Sequence, residues 1–220
     1  MRMHRYLILT ALALCVISTH VRGQNSLSAE EKAAGWQLLF DGNSLGGWRA
    51  SEAPGTFSVV DGQIVVHGQR SHLFYIGNVS NHLFKNFELR LDVMTFPHAN
   101  SGVYFHTSWQ ETGFPDNGIE VQVNNSHKDP IRTASLYRVK DNLEQVARDG
   151  EWFELTIIVD GRHAVTKVNG NVVIDYTQEN PPVRAKGWEG HIISSGTFAL
   201  QGHDPGSETH FRNIRVRLLP

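Results

Sequence analysis

The residues best suited to chemistry gather in one stretch, Ser101 to Val123, which reads SGVYFHTSWQETGFPDNGIEVQV. Each end alternates. Val103 and Phe105 oppose Gly102, Tyr104 and His106, and Val121 and Val123 oppose Glu120 and Gln122, the period of two that marks a strand with one buried face. With the valines and Phe105 in a core, Tyr104, His106, Glu120 and Gln122 share the opposite face of two strands. A carboxylate there can serve as a base, while imidazoles and amides can hold or protonate an oxygen. Gln201 and His203 share a face of a late strand, which makes His203 a candidate acid. Asn100, just before Ser101, either shapes the strand entry or hydrogen-bonds a ligand. Tyr104, Trp109, Tyr137 and Trp188 offer flat apolar faces, and aromatic platforms beside planar polar groups suit a pyranose ring. Carbohydrate is therefore the expected partner. His106, Glu120 and His203 could also converge on a divalent metal ion, although no short-spaced ligand motif requires one. Against these readings stand plainer ones: Glu120 as a solvated or ion-paired strand carboxylate, and the two histidines as ordinary members of a set of 12.

Positioning such groups takes a β scaffold. Ser28 followed by Glu31 forms a capping-box pattern for one short helix within 26–34. Residues 56–67 hold apolar residues on both sides of Asp61-Gly62, the signal for a tight hairpin. From Phe87 to Thr95, Phe87, Leu89, Leu91 and Val93 face a core and Glu88, Arg90 and Asp92 face solvent. A further strand is expected over 134–139, carrying Tyr137. Strands over 152–159, 163–168 and 171–176, joined at Asp160-Gly161 and Asn169-Gly170, form a meander. Residues 181–193 make a long polar loop bearing Trp188, and 197–201 and 211–218 close the chain as strands. Trp36, Trp48 and Trp152 are read as core, and Asp41 as the cap of a turn with Gly42. About a dozen strands with short turns and no helical crossovers imply an all-β fold of two packed antiparallel sheets.

The chain opens with Arg2 and Arg5 ahead of an apolar run from Tyr6 to about Ile17, then small and polar residues. This is the pattern of a secretory signal peptide over 1–23, shorter than the roughly 20 apolar residues of a membrane span. Cleavage after Gly23 would leave a single domain over 24–220, secreted or periplasmic, with no membrane attachment. Cys15, the only cysteine, lies in the signal, which excludes disulfide and thiol chemistry from the mature chain. Removing Arg2, Arg5 and Arg22 leaves 17 basic residues against 22 acidic ones, so the mature chain is acidic, near −5 with histidines neutral. That balance argues against nucleic acid as a partner. A domain of this size can bury roughly 70% of its unfolded surface.

Seven stretches, in order, resemble the 3-keto-disaccharide hydrolase family: GWQLLFDGNSLGGW (35–48), FKNFELRLDV (84–93), ANSGVYF (99–105), GIEVQV (118–123), GEWFELTIIVDGRHAVTKVNGNVVIDY (150–176), FALQGH (198–203) and HFRNIRVRLL (210–219). Together they cover nearly all of the mature chain. The resemblance implies a concanavalin A-like jelly-roll sandwich and action on glycosides whose sugar carries a ketone at carbon 3. The chain departs from the family at His106, where Arg or Gln is frequent, at Phe153 after Gly150-Glu151-Trp152, and in a longer insertion over 107–117.

A retaining glycosidase on such a sandwich needs two carboxylates about 5 Å apart. The strand in question offers Glu120, Gln122 and Asn124, so only one. A ketone at carbon 3 changes the requirement, because it acidifies the hydrogen on carbon 2. One base then suffices, with a stabiliser for the enolate and a proton donor for the leaving group. Glu120 is the candidate base, Gln122 and His106 the candidate oxygen contacts, and His203 the candidate acid. The bond breaks by hydrolysis or by elimination. A lectin-like module using the same face to bind glycans without catalysis is the competing reading. A third, an accessory domain docked on a redox partner, lacks an apolar strip to support it.

Overall fold

The computed structural model describes residues 24–220; the expected signal segment and Cys15 lie outside the described residues. The α-helix α1 (Ala29–Ala33), the one among the described residues, begins as its cap predicts. Glu31 N–H donates to Ser28 Oγ at 3.1 Å and Ser28 N–H donates to Glu31 Oε2 at 2.9 Å.

Thirteen strands form two antiparallel sheets around one shared core, as the periodicity implies. The larger sheet takes β1 (Trp36–Leu38), β3 (Phe57–Val60), β4 (Gln63–His67), β6 (Phe87–Thr95), β9 (Phe153–Asp160), β10 (His163–Val168), β11 (Asn171–Thr177) and β13 (Glu208–Leu218). Its order is β11-β10-β9-β6-β13-β4-β3, with β1 also paired to β13. The smaller sheet takes β2 (Trp48–Ala50), β5 (Ser71–Tyr75), β7 (Ser101–Thr107), β8 (Ile119–Val123) and β12 (Thr197–Gly202), in the order β2-β5-β12-β7-β8. Between the sheets, Leu89, Leu91 and Val93 of β6 meet Val103, Val121 and Leu200 of the smaller sheet in one core. Phe84 stacks on Phe198 with ring centroids 4.3 Å apart.

The hairpins follow their turn chemistry with one shift. Asp61 and Gly62 both have positive φ, as do Asn169 and Gly170, the conformation that these residue types accept most readily. Between β9 and β10, Asp160 belongs to the ladder opposite His163, and the turn is Gly161-Arg162. Asp41 Oδ1 accepts from the N–H groups of Asn43 and Ser44, confirming it as a turn cap.

Three expectations fail for stated reasons. Residues 134–139 are not a strand: Ala134 and Arg138 have positive φ, and only Leu136 bridges, to Val121 and Lys140. Glu88 is 5% exposed rather than solvated, because Arg90 Nε donates to it at 2.7 Å from one side and Arg217 closes the other. Trp36 is buried outside the core, on the outer face of the larger sheet, with the guanidinium groups of Arg90, Arg215 and Arg217 over its ring. Trp152 is likewise outside the core, with Arg212 stacked 3.9 Å from its ring centre, whereas Trp48 is a core residue. The strands β1 and β2, of three residues each, are too short to show a period, and β5 has apolar residues on both faces; none of the three was expected.

Glu88 links two arginines over Trp36, so Glu88→Ala is expected to destabilise the protein by roughly 1 to 3 kcal/mol, the cost of charged hydrogen bonds left open. Urea unfolding measures this; a change near zero would place Glu88 back in solvent.

Candidate active site

The outer face of the smaller sheet forms the floor of a cavity of about 450 Å3. Alternation along β7 and β8 puts Tyr104 and Glu120 on that face as direct cross-strand partners, with Gln122 opposite Gly102. Tyr104 OH donates to Glu120 Oε2 at 2.7 Å. From β12, Gln201 Nε2 donates to Glu120 Oε1 at 3.0 Å and to the Tyr104 oxygen at 3.1 Å. Glu120 is 8% exposed, which removes the reading of a solvated strand carboxylate. Burial pushes its carboxyl up to about 7, against the hydrogen bonds from Tyr104 and Gln201, while the nearby Asp129 adds to the rise. Tyr104 is raised well above its ordinary range by burial and then by the charge of Glu120.

Gly102 is what makes room for this carboxylate. A Cβ at Gly102 would lie 2.8 Å from Glu120 Cγ and 2.9 Å from Cδ, so any larger residue must move the side chain. A glycine inside a strand, beside alternating bulky residues, was the available signal for such a close approach.

The remaining polar residues surround this centre. Gln122 Nε2 donates to Asn100 Oδ1 at 3.0 Å, and the Asn100 N–H donates to Ser207 Oγ at 2.9 Å. Asn100 thus does both jobs, entering the strand and lining the cavity. His203, just beyond β12, reaches the cavity with Nδ1 bonded to Asp204 Oδ2 at 2.7 Å. Burial pushes the Asp204 carboxyl up, but bonds with His203, the Gly206 N–H and Ser207 Oγ outweigh it and hold the group below its usual range. Tyr137 and Trp188 form one aromatic wall with centroids 6.0 Å apart, and the Arg138 guanidinium lies 5.1 Å from the Trp188 ring centre. Tyr137 OH donates to Asp129 Oδ2 at 3.0 Å. Asp204, Arg138, His191 and Asp129 were not foreseen, since each sits on a loop without periodicity.

His106 and Trp109 do not join this group. On β7 both Phe105 and His106 stand opposite the single residue Phe198 of β12, a bulge that shifts the register. His106 has φ +57 and leaves the site face, its ring 5.6 Å from that of Phe87. Its Nδ1 accepts from the Ser194 N–H at 2.9 Å, and its Nε2 donates to Lys85 O at 3.0 Å. Burial lowers its pKa to about 4, against that backbone bond. The bulge is held from the side by Gly118, whose φ of +86 favours glycine and whose added Cβ would come within 2.8 Å of His106 C. Trp109 lines a second cavity of about 590 Å3 together with His106, with Arg49 stacked 3.6 Å from its ring centre. The proposed convergence of His106, Glu120 and His203 on a metal therefore fails. Among the described residues no group of three or more His, Cys, Asp or Glu is arranged to hold a metal ion.

The raised Glu120 has a consequence for stability. A folded pKa of about 7 against 4.5 unfolded means that its contribution is fully present below 4.5 and is lost as pH rises through about 7. Ionisation of the buried group costs roughly 3 kcal/mol at alkaline pH, at about 1.36 kcal/mol per unit. Glu120→Gln keeps the shape, and the Gln201 amide can turn to receive the new N–H. The variant is expected to gain stability over the native protein between pH 5 and pH 8 in urea melts. An offset that does not change with pH would mean that the carboxylate ionises freely.

A curated 3-keto-disaccharide hydrolase from Bacteroides thetaiotaomicron is 27% identical, with 89% of this chain and 82% of that protein covered. A solved protein from Parabacteroides distasonis, described as a candidate glycosyl hydrolase, shares the fold at a TM-score of 0.73 and 22% identity, covering 90% of this chain and all of that one. The carbohydrate binding module CBM66 from Bacillus subtilis matches more distantly, at a TM-score of 0.52 and 14% identity, over 78% of this chain and 95% of the module. The two-sheet jelly roll is thus shared with carbohydrate-active proteins. The model of the 3-keto-alpha-glucoside-1,2-lyase-like domain matches residues 35–217, and the chain belongs to that family.

Proposed function

We propose that the protein is an exported enzyme that cleaves the glycosidic bond of 3-keto-glycosides with Glu120 as its base. The observation that carries this reading is the one carboxylate on the sheet floor of the cavity: Glu120 is buried, raised to about 7, and lies beside the amides of Gln122 and Gln201. A base whose pKa lies near the working pH combines ionisation with proton affinity. Glu120 takes the proton from carbon 2 of the keto sugar, and the electron pair moves into the carbonyl to form an enolate. The enolate re-forms the ketone by expelling the oxygen on carbon 1. His203 acts as the imidazolium, with Nδ1–H donating to the Asp204 carboxylate, and gives that oxygen the proton on Nε2, ending as the neutral ring. The product is an unsaturated ketone, and later addition of water makes the net reaction a hydrolysis. Gln122 uses one N–H on Asn100, and its other N–H is the candidate donor to the enolate oxygen. Tyr137 and Trp188 supply the wall against which a pyranose ring stacks. Export rests on the signal-like segment over 1–23.

The likeness to a carbohydrate binding module keeps the lectin reading as the alternative that a test must separate. Glu120→Gln is expected to abolish turnover of 3-keto-trehalose, followed by NMR of the products, while sugar binding persists. Native activity should follow a bell-shaped pH profile, with its rising limb near pH 7 as the base ionises and its falling limb where His203 loses the proton it donates. Retained turnover in the variant would remove Glu120 from the mechanism. Sugar binding without turnover of any 3-keto-glycoside by the native protein would make it a lectin. Gly102→Ala, which displaces the carboxylate, should lower kcat/KM by about tenfold or more; unchanged kinetics would show that the position of Glu120 is not critical.

A further inference from the structure

One buried side chain on the site face is left without a role. His72 of β5 is fully buried, and neither of its ring nitrogens has a hydrogen-bond partner. Buried polar groups are nearly always paired, because leaving them open sacrifices their hydration. Its direct cross-strand partner Gln201 has the same deficit: Nε2 serves Glu120 and Tyr104, but Oε1 has no partner. Two neighbouring floor residues therefore hold unused hydrogen-bonding atoms.

Phe114 covers His72. Their ring centroids lie 5.6 Å apart in an edge-to-face contact, with Tyr104 on another side of His72 at 5.4 Å. Phe114 is 43% exposed and lines the cavity. Its backbone is secured by Gln110, whose Nε2 donates to the carbonyls of Thr112 and Phe114 at 2.6 and 2.9 Å and whose Oε1 accepts from the Asp116 N–H at 3.0 Å. These bonds hold the backbone and not the ring, which also meets Arg70 at 5.3 Å and His203 at 5.8 Å. Burial holds His72 at about 3, with Glu52 opposing and Arg70 and His203 adding, so the imidazole is neutral. A neutral imidazole has one donor and one acceptor, which matches sugar hydroxyls.

In the order β5-β12-β7-β8, His72 stands three strands from Glu120, roughly 14 Å between backbones at about 4.8 Å per strand. The side chains come closer, since Tyr104 bonds Glu120 and its ring centroid lies 5.4 Å from that of His72, which leaves one sugar ring at Glu120 and places the next one over His72. We propose that His72 forms a subsite for the second sugar of a disaccharide, which takes the place of the Phe114 ring, with Gln201 Oε1, on the amide that holds Glu120, serving the junction of the two sugars.

The inference rests on the glycoside-cleaving reading above, and its test is chosen to fail separately. Ring signals of His72, assigned by their loss in His72→Phe, are followed by NMR in the full chain with trehalose and with 3-keto-trehalose. Either disaccharide is expected to shift them, and Phe114→Ala is expected to make His72 reactive to diethyl pyrocarbonate unless a disaccharide is present. His72→Phe should raise the melting temperature, because an unpartnered buried imidazole is gone, and weaken disaccharide binding by about tenfold. His72 signals unmoved by both sugars, or a His72→Phe variant with native affinity, would reduce His72 to packing and overturn the subsite. Failure of the catalytic reading shows instead as absent turnover of 3-keto-trehalose, while the response of His72 to unoxidised trehalose needs no turnover.

Discussion

A carboxylate held out of water on the face of a β-sheet is the constraint on which this site depends. Glu120 is kept there by two donors, Tyr104 OH from the neighbouring strand β7 and Gln201 Nε2 from β12, one strand further. Neither donor is charged, so the bonds satisfy the oxygens without pulling the acid far down, and burial decides the outcome. An arginine in either place would have locked the group as a permanent anion. The use of neutral donors is what leaves Glu120 able to take up a proton near neutral pH.

Strand register then decides which residues can share that environment. Pairing of Tyr104 with Glu120, and of Gly102 with Gln122, follows from two short alternating runs facing one another. The bulge at Phe105 and His106 ends the shared face abruptly. Beyond it, the same strand turns His106 inward against Phe87 and sends the insertion over 107–117 across the sheet. One extra residue in the ladder thereby separates the two cavities, giving Phe114 to the first and Trp109 to the second.

Loops build the walls that the flat sheet cannot provide. Trp188 and Arg138 come from segments far apart in sequence and meet over Tyr137. Asp204 and Ser207, in the turn after β12, tie His203 and Asn100 to one corner of the cavity. The larger sheet contributes no side chain to the cavity; its outer face carries instead the cluster of Trp36, Glu88 and three arginines.

Much of this was legible beforehand, for a physical reason. Alternation in 87–95, 101–107 and 119–123, with Asp-Gly and Asn-Gly turns, is local information, and it determined the strands, the two-sheet class and the shared face of Tyr104, Glu120 and Gln122. The absence of a second carboxylate beside Glu120 was equally plain. Only the tertiary structure decided the rest. Whether His106 follows its neighbours depends on a bulge set by the partner strand β12, and whether Glu88 is solvated depends on Arg217, 129 residues away. In β5 the apolar Phe74 stands on the site face while Leu73 and Tyr75 face the core, so no alternation stands out and His72 entered the site face unseen. Composition and spacing report what a residue can do; which neighbours it meets, and whether water reaches it, is settled by contacts that no local window contains.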